Sequence, residues 1–190
     1  MSASEVGDGE GRSEHVVRAV IILEIPEPLA GEVRSVQDRY AYGQGAPLPV
    51  HITLAGSNGL GELELHDGAG AILPILDAIA RASAPVAASF GPTLRFPGTD
   101  TFALTLMDEN PVAAVHRAIA ESGLRFGPTP FRFKPHCTLT SGTRRTDDEV
   151  ADLLATRIRG TFVLDVLSVY AMSPPMPLLH RASLTSAAQR

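Results

Sequence analysis

The chain of 190 residues lacks what several familiar protein classes need. Its single cysteine, Cys137, excludes an internal disulfide framework, and no His/Cys cluster has zinc-finger spacing. The longest apolar stretch near its start, residues 19–23, is far too short to cross a bilayer. Lysine is nearly absent, since Lys134 stands alone against fifteen arginines.

The charge of the chain excludes a further class. A net charge of −5 argues against a protein that coats nucleic acid non-specifically, although a small nucleotide or an RNA end could still bind a local basic patch. Residues 1–14 lack the basic start and apolar core of a signal peptide, so we predict a disordered tail there and a cytoplasmic protein without a membrane partner. Residues 187–190 are a second predicted tail.

A four-residue motif occurs twice, as HITL at residues 51–54 and as HCTL at residues 136–139. The residue frequencies of the chain make two chance copies an event on the order of one in a thousand, which weakens the usual warning about short motifs. The plainer interpretation is two ordinary strands whose histidines face solvent.

Both motif copies lie in β-prone stretches, where side chains alternate between faces. His51 and Thr53 would then share one face, as would His136 and Thr138, while the residues between them point into a core. Cys137 should point away from its neighbour His136, which argues against a nucleophilic Cys–His pair. Two such strands side by side would bring two imidazoles and two hydroxyls to one surface.

That combination of side chains suits the chemistry of a phosphodiester. The unperturbed pKa of histidine, about 6.5, lets one imidazole act as a base and another as an acid. Threonine hydroxyls can donate hydrogen bonds to the non-bridging oxygens, where charge develops. Neither role needs a metal or another cofactor, and we predict none.

Hydrophobic patterns predict an α+β protein in which each half of the chain contains one motif strand and two helices. The motif strands should meet between two similar lobes. Predicted strands cover residues 16–25, 50–55, 86–94, 101–107, 132–140, 161–171 and 179–185, and predicted helices cover residues 29–42, 72–82, 111–122 and 146–158. The last helix opens with a capping-box pattern, Thr146-x-x-Glu149.

The motif pair resembles the two-histidine (2H) phosphoesterase superfamily, and in particular its branch of LigT-like, 2′-5′ RNA ligase-like RNA 2′,3′-cyclic phosphodiesterases. The segments EIP at residues 24–26 and FKPH at residues 133–136 are also similar to the family. The resemblance covers residues 16–186 and implies one bilobal domain (residues 15–186), with antiparallel sheets around a central cleft and helices outside. His51, Thr53, His136 and Thr138 would lie on the floor of the cleft.

The resemblance implies a metal-independent phosphodiesterase that opens 2′,3′-cyclic phosphates to 2′-phosphates with water, with 2′-5′ RNA ligation as a reverse activity. By the same analogy His51 is the acid towards the leaving oxygen and His136 the base for water. The expected partner is an RNA 3′ end or a small nucleotide with a cyclic phosphate, not DNA, and the expected state is a monomer. Two alternatives are a non-catalytic nucleotide- or RNA-binding module on the same fold and a metal hydrolase with a third ligand.

The chain departs from the family pattern at two positions. Relatives often carry proline directly before the first histidine, where this chain has Val50. Many carry an arginine five residues past the second histidine, where this chain has Ser141; Arg144 and Arg145 follow shortly and could substitute.

Three further residues are candidates for substrate binding. Arg132 and Lys134 alternate in phase with His136, so both could face the cleft, and Tyr42 could stack on a base. His116, in contrast, is expected to be a solvent-exposed bystander on the polar side of its helix.

Overall fold

The structure is a computed structural model that describes residues 16–43, 48–66, 70 and 72–186. The two predicted tails fall outside these residues. Within them the chain forms β1 (Val17–Glu24), α1 (Leu29–Arg39), β2 (His51–Ala55), β3 (Leu63–Leu65), α2 (Leu73–Ala82), β4 (Val86–Arg95), β5 (Phe102–Leu106), α3 (Asn110–Ala120), β6 (Cys137–Thr140), α4 (Asp147–Ala155), β7 (Thr161–Leu164), β8 (Val166–Ala171) and β9 (Leu178–Ser183).

The strands form two antiparallel sheets, as the sequence predicts for an α+β protein of two lobes. The first sheet has the order β2-β1-β8-β9, with β3 also paired to β1, and the second has the order β6-β5-β4-β7. Each motif strand therefore lies at the edge of its own sheet, and β2 contacts β6. The two motifs meet across the boundary between the sheets.

Local sequence signals determine where the helices begin. Pro74 and Pro111 lie in the first turns of α2 and α3, where a missing backbone N–H costs nothing. The predicted capping box is present at α4: the Thr146 N–H donates to Glu149 Oε2 at 2.8 Å, and the Glu149 N–H donates to Thr146 Oγ1 at 3.3 Å.

The apolar residues of both motifs are buried in one continuous core. Ile52 and Leu54 on β2 are fully buried, as is Leu139 on β6, while Cys137 is 1% exposed. The intervening His51, Thr53 and Thr138 are only partly buried, so both strands show the expected alternation. Burial of one face therefore fixes the register that turns the polar residues to the other face.

Three details of the predicted secondary structure are wrong. Residues 132–136 are not in a strand: Pro135 lacks the N–H that a ladder needs, and β6 begins at Cys137. The predicted strand at residues 161–171 divides at Asp165 into β7, which pairs with β4, and β8, which pairs with β1. The short strand β3 is missing from the predicted strands, since residues 63–65 lie between Gly-rich segments.

No helix within the described residues is both long and apolar enough to span a membrane.

Candidate active site

The first sheet presents a polar face around the first motif. His51 pairs across the strands with Glu24, and Thr53 pairs with Ile22. Directly opposite residues of an antiparallel pair share a face, so the Glu24 carboxylate lies on the same side of the sheet as His51. Glu24 Oε1 accepts hydrogen bonds from Ser168 Oγ at 2.5 Å and Arg181 Nη2 at 2.6 Å, which fix the carboxylate beside the imidazole.

The two motif histidines are held in the same way. His51 Nδ1 lies 2.7 Å from the carbonyl oxygen of Pro49, and His136 Nδ1 lies 2.6 Å from that of Lys134, in each case two residues upstream. A carbonyl can only accept, so Nδ1 carries the proton and donates it in both rings. The other nitrogen, Nε2, is left to exchange a proton with a substrate.

Burial lowers the pKa of both imidazoles below the ordinary value. For His51 the neighbouring His136 lowers the pKa further, while the Pro49 carbonyl and the Glu24 carboxylate raise it. For His136 the Lys134 carbonyl raises the pKa and the Lys134 ammonium lowers it. Burial is the largest effect on both rings; among the smaller ones, the Glu24 carboxylate favours a proton on His51, against the effect of His136, and the Lys134 ammonium favours a neutral ring at His136.

A cavity of about 440 Å³ opens beside the second motif. Five of the site residues predicted from the sequence line it: Tyr42, Arg132, Lys134, His136 and Thr138. His51 and Thr53 do not line this cavity, although His51 is close enough to His136 for the charge of His136 to lower the pKa of His51. A second cavity, of about 410 Å³ and lined partly by Arg157 and Arg159, holds no motif residue.

The hydroxyl of Thr138 faces the cavity, and Tyr42 lies beside it. The Thr138 side chain offers Tyr42 a hydrogen bond, while burial raises the pKa of the tyrosine. On the main chain, the Thr138 carbonyl accepts a bond from Gln37 Nε2 at 2.8 Å, which ties β6 to α1. The second motif is thus anchored from outside its sheet.

The basic candidates have different surroundings. Lys134 lines the cavity and forms an ion pair with Glu109, and Arg132 is exposed at the cavity. Arg144 is exposed and does not line the cavity.

Arg145 also lies outside the cavity lining. Its Nη2 donates to the Tyr40 carbonyl at 2.8 Å and to Thr140 Oγ1 at 2.6 Å, and its guanidinium lies 5.2 Å from the centre of the Tyr40 ring. These contacts join the end of α1 to the end of β6. Both hydrogen bonds use Nη2 of the Arg145 guanidinium, which the sequence analysis considers as a replacement for the family's arginine.

Several residues of the site were not predicted. The ring of Phe96 meets His136 edge-on, with centroids 4.8 Å apart. Glu24 beside His51 was not predicted either, and the available signal for it was a charged side chain at the end of an otherwise apolar strand.

His116 is not the exposed bystander that its helix suggested. Its Nδ1 lies 2.8 Å from the carbonyl oxygen of Leu54, and its ring stacks on Phe133 with centroids 3.6 Å apart and an angle of 6°. Leu54 ends the first motif, and Phe133 precedes the second. One side chain on α3 therefore contacts both motif segments.

The described residues contain no group of three or more His, Cys, Asp or Glu side chains that could hold a metal ion. Cys137 is fully buried, and burial raises its pKa to about 12, so its thiol stays protonated and is not a nucleophile.

A family model for the 2′-5′ RNA ligase superfamily matches residues 25–173, well over half of the sequence. The chain belongs to this superfamily. Both motif copies fall within the matched residues of this 2H phosphoesterase family. The sequence matches no curated protein.

Solved structures of similar fold agree with that membership. Escherichia coli LigT in its apo form is 16% identical, with a TM-score of 0.58, and the alignment covers 90% of this chain and 98% of LigT. E. coli LigT complexed with 3′-AMP gives the same identity and TM-score over 90% and 99% of the two chains. The protein TT0787 of Thermus thermophilus is 19% identical, with a TM-score of 0.56, and the alignment covers 90% of this chain and 99% of TT0787. At these identities the likeness shows the fold alone.

Proposed function

We propose that the protein is a metal-independent phosphodiesterase that opens 2′,3′-cyclic phosphates of RNA ends or nucleotides to 2′-phosphates. The observation that carries the proposal is the matched pair of imidazoles. Each ring donates its Nδ1 proton to a carbonyl two residues upstream and keeps Nε2 for proton transfer. A bound phosphorus between them would have one acid–base group on each side.

In this mechanism His136 Nε2 removes a proton from a water molecule, whose oxygen attacks the phosphorus. The bond from phosphorus to O3′ breaks, and His51 donates its Nε2 proton to that oxygen, which leaves the phosphate on O2′. The Thr53 and Thr138 hydroxyls donate hydrogen bonds to the non-bridging oxygens as charge develops there. The same sequence of steps, with a 5′-hydroxyl in place of water as the nucleophile, gives 2′-5′ ligation.

The division of roles rests on the charges near each ring. The Glu24 carboxylate favours the protonated form of His51, as an acid requires, and the Lys134 ammonium favours the neutral form of His136, as a base requires. This agrees with the roles that the family resemblance implies.

Three observations support a nucleotide or an RNA end as the substrate. The family is that of 2′-5′ RNA ligases. A structural relative, E. coli LigT, has been crystallised with 3′-AMP. The cavity beside His136 is of a size that holds a small ligand, and Arg132 and Lys134 bring positive charge to it.

A second candidate is a non-catalytic module that binds nucleotides or RNA on the same fold. The residues that bind phosphate would serve such a module equally well. What disfavours it is the orientation of both histidines, since binding alone does not require two rings with free Nε2 atoms.

The test is hydrolysis of nucleoside 2′,3′-cyclic monophosphates and of a short RNA ending in a cyclic phosphate, in excess EDTA, with the product read by phosphorus NMR. We expect a 2′-phosphate, and a loss of about 10²–10⁴-fold in kcat for His51→Ala and for His136→Ala. His180→Ala is the matched control, because His180 pairs with Asp77 on α2 and lines no part of the cavity.

Three outcomes would count against the proposal. Turnover that survives removal of either motif imidazole would exclude the two-histidine mechanism. Turnover abolished by EDTA and restored by a divalent metal would favour the metal hydrolase. Tight nucleotide binding without turnover by the folded protein would favour the binding module.

A further inference from the structure

Glu24 has polar neighbours on both sides of its strand in the first sheet. On one side of β1 lies β2 with His51, and on the other lie β8 with Ser168 and β9 with Arg181. Ile22 pairs with Ser168, which in turn pairs with Arg181, so these side chains share a face. Glu24 lies two residues past Ile22 and shares that face as well. Its carboxylate therefore has an imidazole on one side and hydrogen-bond donors on the other.

The donors on the side away from His51 hold the carboxylate. Glu24 Oε1 accepts hydrogen bonds from Ser168 Oγ at 2.5 Å and from Arg181 Nη2 and Nε at 2.6 and 3.2 Å. Ser168 is fully buried, and the side chain of Glu24 is only 17% exposed, although Arg181 is half-exposed. A hydrogen bond between two charged groups is roughly twice as strong as a neutral one, so Arg181 is the stronger anchor.

His51 lies within reach of this carboxylate. The Cβ atoms of directly opposite residues in an antiparallel pair are about 4.5–5.5 Å apart, a distance that a glutamate side chain spans. A carboxylate released beside a protonated imidazole forms an ion pair with it. Nδ1 of His51 is already bonded to the Pro49 carbonyl, so that ion pair would form at Nε2. It would occupy the nitrogen that the proposed mechanism needs for the leaving oxygen.

We propose that Arg181 is a positioning residue that holds the Glu24 carboxylate on the far side of β1 from His51 and so keeps Nε2 of His51 free for the substrate. The inference rests on the proposed function and deepens it by giving a role to a residue outside both motifs. Arg181 acts through Glu24 and does not contact the substrate. Ser168 supplies the second, neutral donor to the same oxygen.

The other titratable groups around Glu24 and His51 are Tyr170 on β8 and His136 before β6. Burial raises the pKa of Tyr170, with Glu24 adding to this effect and Arg181 opposing it, so the phenol stays protonated. Burial lowers the pKa of His51, and the charge of His136 lowers it further. Glu24 is the one anion in this group, so it is the group that would capture a protonated His51 when released.

The test is an NMR titration of the His51 imidazole, together with initial rates on adenosine 2′,3′-cyclic phosphate, for the unaltered protein and for Arg181→Met. Release of the carboxylate should raise the pKa of His51 and move the alkaline limb of kcat/KM to higher pH. It should lower kcat about tenfold, less than the 10²–10⁴-fold expected for loss of the imidazole itself. Arg181→Lys keeps a charged donor and should recover most of both changes. Arg18→Met is the matched control, since Arg18 on β1 forms an exposed ion pair with Glu62.

A double substitution separates positioning from a direct effect of the guanidinium charge. Glu24→Gln has no carboxylate to release, so adding Arg181→Met to it should leave the pKa of His51 and kcat nearly unchanged. Equal changes in both backgrounds would overturn the inference, because Arg181 would then act directly on His51 or on the substrate. It would also be overturned if Arg181→Met alone leaves the pKa of His51 unchanged or lowers it, which is the result expected of a merely structural residue.

The titration needs no turnover, so it distinguishes failure of this inference from failure of the proposed function. If the folded protein hydrolyses no cyclic phosphate, the proposed function fails, and the pKa of His51 alone decides the role of Arg181. A rise in Arg181→Met that is absent in the Glu24→Gln background would still support positioning. The same rise in both backgrounds, or no rise in either, would overturn it.

Discussion

The contact of His116 with both motif segments leads to a quantitative prediction for its removal. The hydrogen bond to the Leu54 carbonyl contributes about 1 kcal/mol to the free energy of unfolding. The stack on Phe133 contributes about 0.5–1.5 kcal/mol beyond the area it buries. His116→Ala should therefore lower the free energy of unfolding by about 2 kcal/mol, far more than a substitution at an exposed helix position.

Two further substitutions separate the bond from the stack. Asparagine at position 116 places an amide nitrogen near the position of Nδ1 and can keep the bond to Leu54 without the ring. Phenylalanine keeps a ring for Phe133 and loses the donor. Each variant should recover part of the stability that His116→Ala loses, as measured by urea unfolding.

Catalysis should respond as well, because the same side chain positions both motifs. A small displacement of reacting groups is costly, so we expect kcat/KM for a cyclic phosphate to fall about tenfold or more in His116→Ala. A double-mutant cycle with Phe133→Leu should give a coupling energy of at least about 0.5 kcal/mol. Unchanged stability and turnover in His116→Ala, together with additive effects in the cycle, would refute this reasoning.

Three other predictions follow from the histidines and the tight contacts near them. Because burial lowers the pKa of both motif imidazoles, kcat/KM should follow a bell-shaped pH profile with its maximum below about pH 6.5. Glu24→Gln removes a charge that raises the pKa of His51, so it should move the alkaline limb of the profile to lower pH. Initial rates measured across the pH range would show both effects. Burial also lowers the pKa of His116, so at His51, His116 and His136 the unfolded chain binds more protons than the folded one. The free energy of unfolding should therefore be largest above about pH 6.5, and it should fall as the pH drops through the lowered pKa values. Urea unfolding at pH 5 and pH 7.5 would detect this trend. Gly59→Ala should lower the Tm more than Gly98→Ala in thermal unfolding. Both glycines have φ of +72°, and an alanine in that conformation costs about 1–2 kcal/mol at either position. A Cβ at position 59 would in addition lie 2.6 Å from His116 Cε1, whereas one at position 98 would have no atom within 4 Å.

The sequence predicts well those parts of the structure that depend on short-range chemistry. Alternation within HITL and HCTL predicts the buried and the polar faces of β2 and β6. The hydroxyl and carboxylate of Thr146 and Glu149 predict the start of α4, because a capping box is complete within four residues. Pro111 in the first turn does the same for α3.

What the sequence could not predict depends on pairing between distant segments. An apolar run at residues 161–171 shows that strands form there, but not that Asp165 divides them between two sheets. The polar position of His116 on its helix wheel gives no sign that a strand end and an aromatic ring cover it. Arg145 likewise carries no local signal that its guanidinium points to the Tyr40 carbonyl, 105 positions earlier.

The burial of Cys137 gives the active site an intrinsic reporter. It is the only thiol in the chain, it pairs with Leu104 inside the second sheet, and it adjoins the proposed base, His136. A protonated, enclosed thiol does not react with alkylating reagents, so modification proceeds only through molecules in which β6 has opened. The rate of labelling under native conditions therefore measures the opening free energy of the strand that follows the proposed base, without an engineered probe, and a bound phosphate ester should slow that labelling.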